Sequence, residues 1–231
     1  MLGIIAAMRV EAMELIKKMT ERKERTISGV TFTSGKLCGR DAVIAVCGIG
    51  KVFAALCTQT MILTYHPDAI VNTGVAGTLT DKLSICDMAL SVDLVQHDMD
   101  TSALGDPVGL ISGINVVYLP ADRRLVETIL SPEVAGEVHI VSGTIASGDQ
   151  FIGGGERKQW IVDNFGAIAC EMEGAAVAQV CYVNKVPFAV LRAISDNADG
   201  TSCDDYPTFV EKAAHVSASI VERLIGRMRK A

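Results

Sequence analysis

The stretch ACEMEGAAVAQVCYVNKVPFAVLRAISDNADG, residues 169–200, holds the pattern that decides the fold. Apolar runs at 167–173 and 187–195 have the length of strands, and the Ala-rich segment 174–184 between them has a helical period. Runs that are hydrophobic on both alternate faces are typical of central strands that helices cover on both sides. The stretch therefore predicts an α/β fold.

The same alternation of short apolar runs and helical periods continues along the whole chain. Further strands are predicted at 2–7, 42–48, 69–74, 87–95 and 138–147, and further helices at 9–19, 51–65, 121–130, 155–164 and 207–229. No internal repeat, low-complexity tract or Pro/Ser-rich linker divides the 231 residues, a length that suits one large α/β domain. We therefore predict a single α/β domain, residues 1–231.

Charge and hydropathy argue against two classes of partner. The net charge of −6 disfavours a nucleic-acid partner, because phosphate binding needs clustered Lys and Arg. The short basic groups 17–18 and 22–25 are expected to be a solvated helix end and a loop. No apolar run approaches the length of a membrane span, and Arg9 brings charge too early for a signal peptide. We expect a soluble, cytoplasmic protein with neither a nucleic-acid nor a membrane partner.

The cysteines and histidines do not form the pattern of a metal site. The seven cysteines are scattered through apolar runs without a CxxC pair, and the four histidines lie far apart in the chain. Buried free thiols in a reducing cytoplasm suit this pattern better than a zinc site. We therefore expect no metal and no cofactor.

Two glycine loops follow predicted strands. CGIGKVFAA, residues 47–55, has Phe53 where a dinucleotide fingerprint needs its third glycine, and it lacks the spacing of a phosphate-binding P-loop. What remains is a glycine turn before a helix N-terminus, which can bind an anion or a sugar hydroxyl. In NTGVAGTL, residues 72–79, the glycines are equally compatible with a tight turn and with a ligand contact.

Carboxylates accumulate where predicted strands end. Glu171 and Glu173 share one face if 167–173 is extended; alternatively, Glu173 starts the next helix, where the dipole favours an anion. Asp196 ends the last strand, and Glu11 closely follows the first. Each acid alone is more simply explained as a helix cap or a surface residue. Together, with Arg192 available to pair, they predict a binding site at the strand ends.

Cleavage of a glycosidic bond is a reaction that such acids can catalyse. The sequence offers no nucleophilic Ser or Cys constellation, metal cluster or phosphate cradle. Glycosidic cleavage proceeds through an oxocarbenium-like transition state, and carboxylates protonate the leaving group, activate water and hold hydroxyls.

Six motifs, in family order and with family spacing, carry a resemblance that spans nearly the whole chain. They are GIIAAMRVE (3–11), GIGKV (48–52), NTGVAG (72–77), SGDQFI (147–152), CEMEGAAVA (170–178) and VLRAISDNAD (190–199). The chain resembles the nucleoside phosphorylase/nucleosidase superfamily, and within it the nucleosidases of 5′-methylthioadenosine and S-adenosylhomocysteine. The resemblance implies a three-layer α/β/α phosphorylase-like fold around a central mixed, partly barrel-like sheet. It also implies a homodimer that acts on an adenine nucleoside and water.

The resemblance implies a role for each matching polar residue. Glu11 looks like the base that orients and deprotonates the attacking water, with Arg192 nearby. Asp196 resembles the acid that protonates adenine N7, and Ser195 positions it. Glu173 resembles the ribose anchor, which accepts hydrogen bonds from the 2′- and 3′-hydroxyls. We expect Glu11 and Glu173 to stay ionised.

Other matching residues are implied to form the rest of the pocket. Met172 would support the sugar face, Phe151 would stack on adenine, and the backbone of Ile152 would read the Watson–Crick edge. Tyr206 matches an aromatic lid over the base. The remaining residues expected to bind substrate are Glu171, Ile49, Val75, Ala76 and Gly77.

The sequence departs from the family pattern at several places. The segment RVE, residues 9–11, keeps only the last of three acids that the family commonly has. Val75 and Thr78 replace a serine and a glycine, which can alter ribose or water contacts. The loop QHDMDTSALGDP, residues 96–107, matches a segment that reaches across the family's dimer to the 5′-substituent. Because its identity is poorly preserved, the preferred 5′-group stays open.

Three alternatives compete with hydrolysis of methylthioadenosine and S-adenosylhomocysteine. A purine nucleoside phosphorylase shares the fold, but Glu11 on the water side would repel its phosphate. A nucleosidase for aminodeoxyfutalosine would share the same residues. A non-catalytic nucleoside-binding module would need Glu173 and Phe151 but would gain little from Glu11 together with Asp196.

Overall fold

A computed structural model of the chain describes residues 1–198 and 206–228, without the side chains of 206–208. In this part of the chain the strands are β1 (Leu2–Ala6), β2 (Thr20–Ile27), β3 (Val30–Leu37), β4 (Arg40–Val46), β5 (Ala69–Thr78), β6 (Met88–Gln96), β7 (Leu119–Pro120), β8 (Ile140–Ser147), β9 (Ala169–Glu171) and β10 (Phe188–Asp196). The helices are α1 (Arg9–Lys18), α2 (Lys51–Tyr65), α3 (Arg123–Leu130), α4 (Pro132–Ala135), α5 (Gly155–Phe165), α6 (Gly174–Asn184) and α7 (Tyr206–Arg227). A short 3₁₀ turn spans Ser102–Leu104.

The strands form one mixed sheet, part of which closes on itself. Its order is β10-β6-β8-β9-β5-β1-β4-β3-β2, and β7 pairs with β6. Because β10 also pairs with β5, the strands β5, β10, β6, β8 and β9 form a closed barrel. The strands β1, β4, β3 and β2 extend from it as an open sheet. The predicted mixed, partly barrel-like sheet is therefore confirmed.

Helices cover both faces of this sheet, because its inner strands are apolar on both faces. Every residue of β1, β5 and β10 is buried. The successive residues Ile4 and Ile5 of β1 belong to two different cores. Ile5 packs in the core that includes α2 and α6, and Ile4 packs in the core that includes α1 and α7. The predicted three-layer α/β/α fold is confirmed.

The loop predicted at residues 22–25 is wrong, because these residues lie in the middle of β2. The sequence TERKERTI of β2 is almost wholly exposed, so it lacks the apolar alternation that identifies a strand. Its conformation comes from pairing with β3 across the turn at Ser28 and Gly29, which have φ angles of 50° and 79°. Positive φ at both turn positions matches the twist of a two-residue hairpin.

Strand register brings the strand ends together at Gly77 of β5. This residue pairs with Asp196 of β10 on one side and with Cys170 of β9 on the other. The next residue of β9, Glu171, pairs with Ser147 at the end of β8. The polar ends of three strands therefore surround one position of β5. Within the described residues, no helix combines the length and apolar character that a membrane crossing needs.

Candidate active site

A cavity with an empty volume of about 620 Å³ opens where these strands end. Its wall contains every residue of the predicted site except Arg192 and Tyr206. It also includes four residues that the sequence did not suggest: Ala7, Met8, Gln150 and Cys170. Arg192 lies fully buried among the polar groups of the site, and the side chain of Tyr206 lies outside the described residues.

Glu11 is fixed in the first turn of α1 by backbone donors. The N–H groups of Ala7 and Met8 donate to its Oε2 at 2.9 and 2.8 Å, and the N–H of Val75 donates to Oε1 at 3.1 Å. A Cβ atom on Gly74 would lie 2.6 Å from Oε1, so only glycine allows this approach of β5. Glu11 thus caps its own helix while its side chain also lines the cavity.

Burial raises the pKa of Glu11. The side chain is only 2% exposed, and the loss of hydration outweighs the charge of Arg192 and the three backbone hydrogen bonds, which lower the pKa. Arg192 thus favours the ionised form of Glu11, as expected, but burial opposes it more strongly.

Arg192 pairs most directly with Glu171. Its Nη2 donates to Glu171 and, at 2.6 Å, to Oδ1 of Asn72. Glu171 also accepts from the hydroxyl of Ser147 and from the N–H groups at the start of α6. These contacts hold Glu171 in place.

Glu173 begins a helix, which decides between the two conformations that the sequence left open. It is the N-cap of α6, whereas strand β9 already ends at Glu171. The N–H of Gly50 donates to its Oε1 at 2.8 Å. Its Oε2 lies 3.5 Å from Nη2 of Arg192, beyond a strong hydrogen bond. Glu173 is thus held less firmly than Glu171.

The environment of Glu173 makes its charge sensitive to pH. Burial, followed by repulsion from Glu171, raises the pKa of Glu173 to about 7. Arg192 and the Gly50 N–H oppose this rise, but they do not cancel it. The surroundings of Glu173 therefore oppose its expected ionisation near neutral pH.

Asp196 ends β10 and is almost buried, with 3% exposure. The hydroxyl of Ser195 donates to its Oδ2 at 2.9 Å, and the N–H of Ala198 donates to Oδ1 at 2.9 Å. Both carboxylate oxygens are thereby oriented. The structure thus places Ser195 and Asp196 on the cavity wall, with the Ser195 hydroxyl bonded to Asp196 as the sequence suggested.

The apolar residues of the site differ in their exposure. Ile152 is buried, whereas Phe151 and Ile49 are 62% and 56% exposed at the mouth of the cavity. Met172 lies between these extremes on the wall. Large apolar side chains at a cavity mouth can contact a ligand directly, so these positions suit the recognition of a flat or apolar group.

Two buried hydrogen-bonding residues beside the cavity, Asn72 and Ser147, were also missed by the sequence analysis. Asn72 accepts from Arg192 and donates to the carbonyl of Ile5 at 2.9 Å, so it links β1, β5 and β10. Ser147 donates to Glu171 and accepts from the N–H of Ala175 at 2.7 Å. Asn72 lies in the motif NTGVAG and Ser147 in the motif SGDQFI. The spacing of residues in a sequence does not reveal which polar side chain is buried and hydrogen-bonded.

The described residues contain no cluster of three or more His, Cys, Asp or Glu side chains arranged to hold a metal ion. The six cysteines in this part of the chain are free thiols, and Cys203 lies outside it.

The family model described as "Phosphorylase superfamily" matches residues 1–226. The chain belongs to this superfamily. A 5′-methylthioadenosine/S-adenosylhomocysteine nucleosidase of Shewanella loihica is 42% identical over 226 residues, which are 97% of this chain and 98% of the relative. The resemblance inferred from the six motifs is therefore confirmed, as is the enzyme class of an N-glycosyl hydrolase.

Solved structures of this superfamily match the whole fold. A futalosine hydrolase of Helicobacter pylori has a TM-score of 0.93 and 37% identity, and the match covers 98% of this chain and 97% of that one. An Asp→Asn variant of a nucleosidase from the same species, with 5′-methylthioadenosine in its active site, has a TM-score of 0.93 and 36% identity, with 98% of each chain covered.

We predict that Glu173→Gln changes how the stability of this superfamily member depends on pH. The pKa of Glu173 is about 7 in the folded chain, against an ordinary value of 4.5, so the folded state loses stability as pH rises from about 4.5 to above 7. The glutamine removes this loss, on the order of 1–3 kcal/mol. The melting temperature of the variant relative to wild type should therefore increase by several degrees between pH 5 and pH 8.

The control for this measurement is Glu127→Gln, which changes an exposed carboxylate on α3. Its melting temperature relative to wild type should be the same at both pH values. A Glu173→Gln difference that also stays constant would contradict the raised pKa of Glu173.

Proposed function

We propose that the protein hydrolyses the N-glycosidic bond of 5′-methylthioadenosine and S-adenosylhomocysteine, releasing adenine and the 5′-thio-ribose. The observation that carries this proposal is one cavity lined by Glu11, Glu173 and Asp196, each oriented by different partners. Relatives that are 40–42% identical over nearly their full length are named nucleosidases of these two compounds, which supports the same substrates.

In the proposed mechanism, Asp196 protonates the leaving base. Breaking the bond leaves an electron pair on the purine, and a proton at N7 makes the base a neutral leaving group. The support is positional: Asp196 lines the cavity, and the Ser195 hydroxyl and the Ala198 N–H restrain its two oxygens. Phe151 and the backbone of Ile152 would hold the adenine against it, as the motif SGDQFI implies.

Glu11 is the proposed activator of the attacking water. A carboxyl group whose pKa is raised by burial accepts a proton more readily than an ordinary glutamate. Three backbone N–H groups fix its position, so it can hold the water at one face of the sugar. Its negative charge, together with that of Glu173, also stabilises the positive charge that develops on the ribosyl carbon.

Glu173 is the proposed anchor for the ribose hydroxyls. Among the described residues, the Gly50 N–H is its one hydrogen-bond donor within 3 Å, so the carboxylate can accept further bonds. Hydroxyls next to a developing cation become more acidic, and their bonds to a carboxylate strengthen toward the transition state. Met172 on the adjoining wall would support the sugar face.

The charge of the cavity supports hydrolysis rather than phosphorolysis. Among the described residues on its wall, four carry a carboxyl group, namely Glu11, Glu171, Glu173 and Asp196, and none is a lysine or arginine. The nearby guanidinium of Arg192 is already paired with Glu171 and Asn72. A phosphate ion would meet repulsion here without a free cation to bind it.

A second candidate substrate is aminodeoxyfutalosine. The futalosine hydrolase structure matches this chain as well as the nucleosidase structures do, which supports this possibility. The acids would play the same parts, because the two substrates differ in the 5′-substituent.

We also propose that the protein is a homodimer. Large apolar side chains project into solvent from α2 and the adjoining α6, among them Val52 at 76%, Phe53 at 55% and Val183 at 57% exposure. A contiguous apolar face of this kind is typical of a protein–protein interface. The same face lies beside the cavity residue Ile49, so a second copy would reach the mouth of the site.

A cytoplasmic location and a role in methionine salvage and nucleoside catabolism complete the proposal. The six free thiols of the described residues suit a reducing compartment. The proposed substrates are 5′-thio nucleosides whose hydrolysis returns adenine and a thio-sugar for reuse.

We predict that the wild-type protein releases adenine from 5′-methylthioadenosine in a phosphate-free buffer. Adding phosphate should leave the rate unchanged, and the sugar product should be free 5-methylthioribose, because water is the proposed nucleophile. Adenine release is measured by chromatography, with S-adenosylhomocysteine and aminodeoxyfutalosine compared at equal concentration. A strict phosphate requirement, with ribosyl 1-phosphate as product, would overturn the hydrolase proposal.

We predict that Asp196→Asn lowers kcat by about 10²–10⁴, the usual contribution of a general acid, while the affinity for methylthioadenosine changes only a few-fold. The amide keeps the shape of the side chain but provides no acidic proton. Adenine release measures kcat, and calorimetric titration measures affinity. The control Asp163→Asn, on the exposed surface of α5, should retain full activity. Turnover near wild type in Asp196→Asn would remove the proton-donor role.

We predict a dimer with twice the chain mass of 24.5 kDa in light scattering after size exclusion. Val52→Glu should shift this species to the monomer, because a charge would be buried in the interface. Leu130→Glu changes a leucine on α3 that is 40% exposed and should leave the dimer intact. A monomeric wild type at micromolar concentration would contradict the proposal.

A further inference from the structure

A cluster of charged side chains lies next to the cavity without lining it. We define the Lys51–Asp98–Asp149 cluster by these three residues, which belong to the start of α2, the segment after β6 and the segment after β8. The ammonium of Lys51 pairs with Oδ1 of Asp98 at 2.5 Å, and the N–H of Asp149 donates to Oδ2 of Asp98 at 2.9 Å. The N–H of Lys51 donates to Oδ1 of Asp149 at 2.7 Å, which closes the cluster.

The cluster is tied to the proposed ribose anchor through one residue. Gly50, which immediately precedes Lys51, donates its N–H to Glu173 at 2.8 Å. The bond from Lys51 N–H to Asp149 restrains the chain at Gly50 and Lys51. Any movement of Asp149 therefore changes the position of the donor that orients Glu173.

The cluster is also tied to the proposed adenine end of the cavity. Asp149 is followed directly by Gln150, Phe151 and Ile152, which line the cavity wall. Its N–H bond to Asp98 anchors the beginning of this segment. The two ends of the nucleoside site thus share one set of hydrogen bonds.

The pairing in the cluster is firmer than that of an ordinary surface ion pair. The side chains of Lys51 and Asp98 are only 18% and 19% exposed. Burial opposes ionisation of Asp98, but the hydrogen bonds from Lys51 and Asp149 outweigh it, so the pKa of Asp98 is lowered. Lys51 also donates to Gln96 at 3.0 Å, and Gln96 donates to Gln179 of α6. The cluster is therefore joined to the helix that begins at Glu173.

We propose that Lys51 and Asp98 are positioning residues for ribose recognition: through Asp149 they hold the Gly50 N–H against Glu173. This inference rests on the proposed role of Glu173 as the ribose anchor. It predicts that breaking the cluster impairs the use of the ribose hydroxyls specifically. The binding of water and the protonation of the base, which depend on Glu11 and Asp196, should be affected much less.

The test compares 5′-methylthioadenosine with its 2′-deoxy analogue in Asp98→Asn and Lys51→Met. Each variant should lower kcat/KM for methylthioadenosine by about tenfold, since a small misplacement of a substrate-orienting group has effects of this size or larger. The loss on the 2′-deoxy analogue should be smaller, about threefold, because Glu173 would hold only the 3′-hydroxyl of that analogue. Lys51→Arg, which keeps the positive charge, should retain most of the wild-type preference for methylthioadenosine over the 2′-deoxy analogue.

Asp41→Asn is the matched control. It breaks a Lys–Asp pair, that of Lys36 and Asp41 at 3.2 Å, on the exposed surface of the β3–β4 hairpin. It should leave both rates unchanged. Melting temperatures of all variants are measured together, so that a general loss of folded protein is seen as an equal loss on both nucleosides. Equal losses on the two nucleosides, or no loss on either, would overturn the inference.

Failure of the proposed function is distinguished by the wild-type protein. If wild type releases no adenine from either nucleoside, the nucleosidase proposal fails, and the same comparison is made with affinities from calorimetric titration. The quantity compared is then the affinity for methylthioadenosine divided by the affinity for its 2′-deoxy analogue. A variant that keeps the wild-type ratio contradicts the positioning role, and a variant with a lower ratio supports it. If wild type binds neither nucleoside, both proposals are rejected.

Discussion

The burial of the Arg192 guanidinium is the constraint on which the rest of the site depends. An unpaired cation in the interior of a protein carries a desolvation cost of several kcal/mol, so acids must surround it. Glu171 and Asn72 bind it directly, and Glu173 lies at 3.5 Å. These partners come from β5, β9 and the start of α6, so pairing of one side chain brings separate chain segments to one place.

The acids of the site differ because that cation is not shared equally. Glu171 receives the direct ion pair and several further donors, and it is the acid most completely satisfied by protein groups. Glu11 and Glu173 keep part of the penalty of burial, which raises the pKa of both. Carboxyl groups in this state are suited to accept hydrogen bonds or protons from a ligand. Burying these two carboxyl groups makes the fold less stable, but it gives them the raised pKa values that suit proton transfer.

Backbone groups perform much of the positioning. Glu11, Glu173 and Asp196 each accept from main-chain N–H groups of loops or helix starts that follow the strands. The fold already fixes such donors, so using them causes no further loss of side-chain conformational entropy. The backbone of β5 also lies close to the Glu11 carboxylate at Gly74, where the absence of a side chain leaves space for that carboxylate. The Lys51–Asp98–Asp149 cluster extends this principle, because it orients loops through their N–H groups.

The amino-acid sequence alone determined the alternation of buried strands and helices, the α/β class and the residues that gather at strand ends. It could do so because burial on both faces leaves long apolar runs, and because ionised residues within such runs are conspicuous. It did not identify β2, whose charged residues carry no apolar period, nor Asn72 and Ser147, whose importance lies in their partners. Only the tertiary structure decided three properties. They are the acid that binds Arg192, the carboxyl groups whose pKa is raised by burial, and the pairing of β5 with β10 that closes the barrel. These properties depend on distances between residues remote in the chain, and no local pattern encodes such distances.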